Sequence, residues 1–267
     1  MKLTKSITRF FTTILIGGFL VGLCCAALLP GYGVLAAAHS GDDRIDIALS
    51  SLKSRTIVFD SAENEIGRIG LEDRDPVKLS QVPEIMKKAV VAVEDQTFWD
   101  NPGIDAKAIL RAASSNVEAG GNSQGGSTIT QQLVKNRVLT DEKTYSRKLK
   151  EAVIAYRITQ IYSKTEILQE YLNTVYFGQG SYGIKSASER FFGKPLKDLK
   201  LSEAALLASA IQNPEYRNPF LYPDRARERR KQVLEIKHKK KIITKELPMK
   251  KIMNYLNIYY FYLLYLY

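Results

Sequence analysis

Gly125-Gly126-Ser127-Thr128-Ile129-Thr130-Gln131-Gln132-Leu133-Val134-Lys135-Asn136 is the most informative stretch of this 267-residue chain. A glycine pair leads into a helix whose first residue, Ser127, carries a hydroxyl. Such a start leaves backbone N–H groups free at an end that attracts phosphate. Ser127, Gln131 and Lys135 stand at i, i+4 and i+8 and share one face, with Gln132 beside Lys135. One cation with several amide and hydroxyl groups along a stripe suits a diphosphate. An ordinary capped helix with a polar outer face gives the same local pattern, so the neighbouring segments have to decide.

Upstream, Val82 onward repeats apolar residues at helical spacing (Ile85, Ala89, Val90, Val93), with Pro83 placed for a first turn. Val93-Glu94-Asp95-Gln96-Thr97-Phe98 closes this helix with two adjacent carboxylates. A carboxylate beside Val90, Val93 and Phe98 is partly desolvated, which raises its proton affinity and makes it a better base. Downstream, Arg147-Lys148-Leu149-Lys150-Glu151 places Arg147 one turn before Glu151, so one cation holds the carboxylate while another faces outward. Further helices are expected over 104–117, 127–138, 143–162, 164–177, 183–192, 201–212 and 222–236. Thr56–Phe59 and Ile66–Gly70 read as a small hairpin around an Asp60–Asn64 turn, and 118–126 as a glycine-rich loop. Asn173 is placed to cap or end its helix, and Gly178, Gly180 and Gly183 permit a tight turn. The domain is mostly α.

The two ends differ from this middle. Phe10–Leu29 is a 20-residue run without a charge, preceded by Lys2, Lys5 and Arg9. It is long enough to cross a bilayer with the N-terminus in the cytoplasm and the bulk of the protein outside. The run exceeds the apolar core of a cleaved signal peptide, and an uncleaved anchor is the preferred reading. Residues 1–9 are then a cytoplasmic tail and 30–55 a stalk. Residues 236–267 hold seven Lys against one Glu and six of the 15 Tyr. Their Lys-, Ile-, Asn- and Tyr-rich composition is that of an extension foreign to the domain, such as an out-of-frame stretch of A/T-rich DNA. Nine of the net +11 charges therefore lie in the two termini. That is no footprint for nucleic acid, which needs basic residues clustered on the folded surface.

Taken in order, the segments resemble a known family. Glu94-Asp95-x-x-Phe98 with Gly103-Ile104-Asp105, Gly126 to Asn136, Arg147-Lys148-x-x-Glu151, Ile167-Leu-x-x-Tyr-Leu-Asn173 and Tyr182-Gly183 look like the five motifs of the peptidoglycan glycosyltransferase domain. That domain occurs in class A penicillin-binding proteins and in monofunctional transglycosylases. The resemblance spans residues 56–235.

The resemblance implies a lysozyme-like, mostly α domain with a small β-hairpin near an N-terminal transmembrane helix, on the outer face of a bacterial plasma membrane. It implies polymerisation of lipid II into β-1,4-linked glycan, with loss of undecaprenyl diphosphate. Glu94 and Glu151 become the catalytic pair, Glu94 as the general base on the acceptor's 4-hydroxyl and Glu151 orienting the cationic cluster or a phosphate-bound metal. Ser127, Thr128, Gln131, Gln132, Lys135, Asn136, Lys143, Arg147 and Lys148 become the substrate-binding set. No cofactor is required, and a divalent cation (Mg or Mn) at the diphosphate is compatible. The implied partners are lipid II, the growing strand, the membrane and other cell-wall synthesis proteins.

Two positions depart from the pattern. Asn101 stands where the family usually has His, and Lys143 where some relatives carry a phosphate-contacting Arg. Ser50-Ser51-Leu52-Lys53 matches a Ser-x-x-Lys pattern but precedes the domain and lacks its partners, so it reads as chance. With no Ser-x-Asn or Lys-Thr-Gly downstream, the expectation is a class A chain cut before its transpeptidase part and unable to bind penicillin. An inactive remnant that binds lipid II or partners is the alternative reading. A glycan-cleaving hydrolase is a further one, since two carboxylates would suit it.

Overall fold

The structure is a computed structural model describing residue 52 and residues 56–69, 72–108, 126–137 and 145–239. The expected anchor at 10–29, the stalk apart from Leu52, residues 109–125, Lys143 and the tail from 240 onward lie outside the described residues. Among the described residues, no helix is long and apolar enough to cross a membrane.

The chain begins with the expected hairpin, β1 (Thr56–Phe59) antiparallel to β2 (Glu65–Ile69). Asp60 closes the turn, its Oδ1 accepting the N–H groups of Ala62 and Asn64 at 2.8 Å each. An aspartate that takes backbone donors ahead of it is a local substitute for strand pairing.

The remainder is mostly helical, as the periodicity predicts: α1 (Glu84–Glu94), α2 (Ile129–Arg137), α3 (Tyr145–Ile161), α4 (Lys164–Thr174), α5 (Ile184–Phe192), α6 (Leu201–Ala210) and α7 (Pro223–Lys239). Helix α4 opens with a reciprocal cap, Ser163 Oγ accepting from Glu166 N while Glu166 Oε2 accepts from Ser163 N at 2.8 Å.

It stops at Thr174 rather than at 177. Val175 is extended, and the aromatic run after it forms β4 (Tyr176–Gly178). Strand β4 lies antiparallel to β5 (Ser181–Tyr182), which pairs in parallel with β3 (Asp73–Arg74). This small sheet is absent from the sequence reading, which saw only a turn there. The turn is real: Gly178, Gln179 and Gly180 all have positive φ.

Asn173 does not cap α4. Its Oδ1 accepts from Val77 N at 3.0 Å, and its Nδ2 donates to Val77 O at 2.9 Å. Its carbonyl accepts from Arg74 Nη1 at 2.7 Å. The amide thus mimics a strand partner and pins the segment before α1 to α4.

Two packing units position the site. Helix α6 reads Leu-Ser-Glu-Ala-Ala-Leu-Leu-Ala-Ser-Ala and is buried from Ser202 to Ala210, apolar nearly all round as a central helix must be. It packs on both α1 and α7. Helix α2 packs on α3 and α4. Met86, Val90, Leu133, Ile158, Leu168 and Phe98 meet in the common core. Burying such side chains contributes about 1.5–3 kcal/mol each.

Candidate active site

Glu94 is the last residue of α1, and it is partly buried. Its Oε2 accepts a hydrogen bond from Gln132 Nε2 at 2.9 Å. Gln132 Oε1 in turn accepts from the hydroxyl of Tyr171, a fully buried residue of α4, at 2.9 Å. The order of donors is forced. An ionised carboxylate only accepts, so Gln132 must turn its NH₂ toward Glu94 and its oxygen toward a hydroxyl that donates. Burial pushes the Glu94 carboxyl above the ordinary carboxylate range. The Gln132 hydrogen bond and the charges of Arg229 and Arg217 pull it back, and Asp95 adds a further push upward. A carboxylate of enhanced proton affinity is suited to take a proton from a hydroxyl.

Asp95, one residue on, is turned to a different task. Its backbone is extended at φ −156°, so its side chain leaves the helix direction of Glu94. It is buried, and its Oδ1 accepts from Thr97 N at 3.2 Å and from Thr97 Oγ1 at 3.1 Å. Asn101 Nδ2 reaches both carboxylate oxygens at 3.0 Å. Asp95 Oδ2 also accepts from Ile129 N at 3.1 Å. A carboxylate therefore already occupies the N-terminus of α2, where it complements the positive end of the helix.

That arrangement corrects the reading of the central motif. Helix α2 starts at Ile129, not Ser127, and Thr128 and Gln131 form a capping box. Gln131 N donates to Thr128 Oγ1 at 3.1 Å, and Thr128 N donates to Gln131 Oε1 at 3.1 Å. Thr128 Oγ1 donates onward to Gly103 O at 2.6 Å. Gln131 is buried, so it does not share an outer face with Ser127 and Lys135. The N–H groups of Ile129 and Gln131 are taken by protein oxygens, and the expected phosphate seat on free helix N–H groups does not form there.

Gly103 fits this junction for a stated reason. It has φ +92°, and a Cβ there would lie 2.4 Å from the carbonyl oxygen of Ala155 on α3. The loop backbone therefore rests directly on α3.

The cations gather around Glu151. Its side chain is 2% exposed and pairs with Lys148 through Oε1 and with Arg147 Nη1 through Oε2, the latter at 3.3 Å. Lys148 Nζ also donates to Ser127 Oγ at 2.7 Å. The Lys148 side chain is 45% exposed, so the amine remains open to solvent on its other side. Lys135 and Asn136 are exposed in the last turn of α2, and Lys135 makes no ion pair among the described residues. Glu94 with Gln132, Thr128 with Gln131, and Ser127 with Arg147, Lys148 and Glu151 are thus three groups of sequence-predicted residues joined by direct contact.

Three supporting residues stand in the sequence motifs without any sign there of the contacts they make. Asp95 was seen only as a second acid, although Asp-x-Thr is a local turn signature. Asn101 is buried, and its Oδ1 accepts from Gly103 N at 2.9 Å and Lys164 Nζ at 3.1 Å. Tyr171 belongs to the Ile167–Asn173 motif, but its bond to Gln132 is not legible there, because that partner lies 39 residues away. Among the described residues, no group of three or more His, Cys, Asp or Glu could hold a metal ion.

Comparison with known proteins identifies similar chains. A family model described as Transglycosylase matches residues 62–238. Penicillin-binding protein 1F of Bacillus subtilis (strain 168) is 41% identical over 212 residues, covering 79% of this chain and 30% of that protein. Penicillin-binding protein 1A of Aquifex aeolicus (strain VF5) is 47% identical over 178 residues, 67% of this chain and 24% of that protein. A crystal structure of penicillin-binding protein 1A from Haemophilus influenzae aligns at TM-score 0.45 and 25% identity, over 77% of this chain and 21% of that one. The chain spans less than a third of the length of these relatives.

Proposed function

The chain belongs to the transglycosylase family, and from that premise we propose that it is a peptidoglycan glycosyltransferase that polymerises lipid II into β-1,4-linked strands. The observation that carries this reading is Glu94, desolvated at the end of α1 and held by Gln132 on the helix that also bears Lys135.

In this reading Glu94 removes the proton from the 4-hydroxyl of an acceptor lipid II, and the oxygen attacks the anomeric carbon of the growing strand. The bond to undecaprenyl diphosphate breaks, and attack from the opposite face turns the α-linked donor into a β-linked product. Negative charge then collects on the leaving diphosphate. Lys148, Arg147 and Lys135 stabilise that charge, with Lys143 and Asn136 as further contacts. Ser127 contributes through geometry: Lys148 donates into its oxygen, which leaves the hydroxyl proton to be donated to a phosphate. Glu151 holds Lys148 and Arg147 side by side. Thr128 and Gln131 act indirectly, by fixing the start of α2.

Any Mg or Mn ion in this scheme arrives with the diphosphate as part of the substrate, and no resident cofactor is invoked. The proposal places the domain, of lysozyme-like type, on the outer face of a bacterial plasma membrane, tethered by Phe10–Leu29, where its lipid substrate lies.

The test is detergent-purified full chain incubated with fluorescent lipid II and resolved on a gel that separates glycan strands. The expected result is a lysozyme-sensitive ladder from the parent and none from Glu94→Gln. Lipid II that stays bound yet unpolymerised by the parent would instead identify an inactive binder.

A further inference from the structure

We propose that Tyr171 is a positioning residue of this reaction, its hydroxyl keeping the Gln132 amide turned so that Nε2 stays on the Glu94 carboxylate. The inference rests on the reading of Glu94 as the base.

The geometry is a linear chain across three helices. Tyr171 on α4 donates to Gln132 Oε1 on α2 at 2.9 Å, and Gln132 Nε2 donates to Glu94 Oε2 at the end of α1 at 2.9 Å. Neither Tyr171 nor Gln132 makes another side-chain hydrogen bond among the described residues. A primary amide has two faces that differ only in exchanging NH₂ for oxygen. Turned the wrong way, Gln132 would set its oxygen against the carboxylate and leave Glu94 without its donor.

A phenol buried at this depth keeps its proton, because burial pushes Tyr171 well above its ordinary value, with the charges of Glu94 and Asp95 pushing the same way. The hydroxyl is therefore a fixed donor, and it selects one amide orientation. The charged and titratable groups acting on Glu94 are Asp95 beside it, Arg217 from the stretch after α6, Arg229 from α7 and Tyr171 from α4. Of the donors near Glu94, only Gln132 touches it by a hydrogen bond among the described residues.

The experiment reads Glu94 directly and activity separately. Full chain carrying ¹³C-carboxyl glutamate in detergent micelles is titrated by NMR, the Glu94 signal being assigned by its loss in Glu94→Gln. Tyr171→Phe keeps the buried ring and removes only the hydroxyl. It is expected to move the Glu94 titration to higher pH, and Gln132→Met to move it further in the same direction. The acid limb of the lipid II polymerisation profile should follow, with low-pH rates down about threefold and about tenfold, recovering at high pH.

A Tyr171→Phe protein that melts earlier but titrates like the parent overturns the proposal and leaves Tyr171 a packing residue. A Gln132→Met protein with an unmoved Glu94 overturns it as well. Shifted titrations in a chain that makes no glycan at any pH uphold the hydrogen-bond chain and defeat the catalytic reading of Glu94.

Discussion

Glu94 and Glu151 are two shielded glutamates handled in opposite ways. Glu94 ends α1 and receives one neutral donor, an amide that is itself held by a phenol. Glu151 lies inside α3 and faces two cations, Arg147 and Lys148. The first carboxylate is left poorly compensated and favours taking a proton. The second serves as a counter-charge that fixes where two cations stand. The partner, not the residue type, assigns the role: the cations of Glu151 come from its own helix three and four residues back, whereas the amide on Glu94 comes from another helix.

Four substitutions test this contrast, in descending order of expected effect. Glu94→Gln should lower lipid II polymerisation by about 10²- to 10⁴-fold, the usual span of a general base. The same change should raise the melting temperature by a few degrees at neutral pH. The folded-state value of Glu94 lies above its unfolded one. The stability tied to its protonated form is therefore fully present below the unfolded carboxylate range and is lost as pH rises through the folded value. Calorimetry of parent and variant at pH 4 and pH 7 checks the sign, since the gain should be confined to the higher pH. For the parent, polymerisation should fall as pH drops through the same raised value.

Asp95→Ala should act on stability more than on chemistry. It strips Thr97, Asn101 and Ile129 of their acceptor at a buried junction, at a cost of about 2–4 kcal/mol in denaturant titration. Glu151→Gln should cost less, about 1–2 kcal/mol, because Lys148 remains partly solvated. Its polymerisation rate should fall about tenfold. A loss as large as that of Glu94→Gln would erase the distinction between the two glutamates. Smallest of all, Ser127→Ala removes the hydroxyl under Lys148 and should change stability by no more than about 0.5 kcal/mol. Its kcat/KM for lipid II should decline a few-fold.

Much of the fold was legible because its signals are local. The Asp60 turn, the apolar period of α1 and the all-round apolar α6 each follow from short windows of sequence. The β3-β5-β4 sheet was not legible, since its strands are two or three residues long and β3 joins β5 from about a hundred positions away. Within the site, Glu94 and the Arg147–Glu151 spacing could be read directly. Gln131 was misassigned because an i, i+4, i+8 stripe presumes that the helix begins at Ser127. The capping-box pattern Thr128-x-x-Gln131 was present in the same stretch and argues for a start one residue after Thr128. Asn101 could be noted as a departure, but its bond to Asp95 depends on how the 96–103 turn closes. Tyr171 stands in the Ile167–Asn173 motif, but its role was not legible, because nothing in the periodicity of α4 points to a particular side chain on α2.

The break between Glu94 and Asp95 has a mechanical consequence. The two neighbours reach α2 at Gln132 and at Ile129, three residues apart and nearly one helical turn. Beyond the packing of α2 on α3 and α4, a single attachment would fix only one point of the helix. Two attachments a turn apart act like a pair of dowels and fix its rotation as well. The angular setting of Lys135 relative to Glu94 is therefore stored in the register of four residues, whatever the length of chain running between Asp95 and Ile129. Adding one residue between Ile129 and Gln132 would turn the second dowel hole by about 100° and disengage it. Such an insertion should silence the site while leaving every residue named in it present.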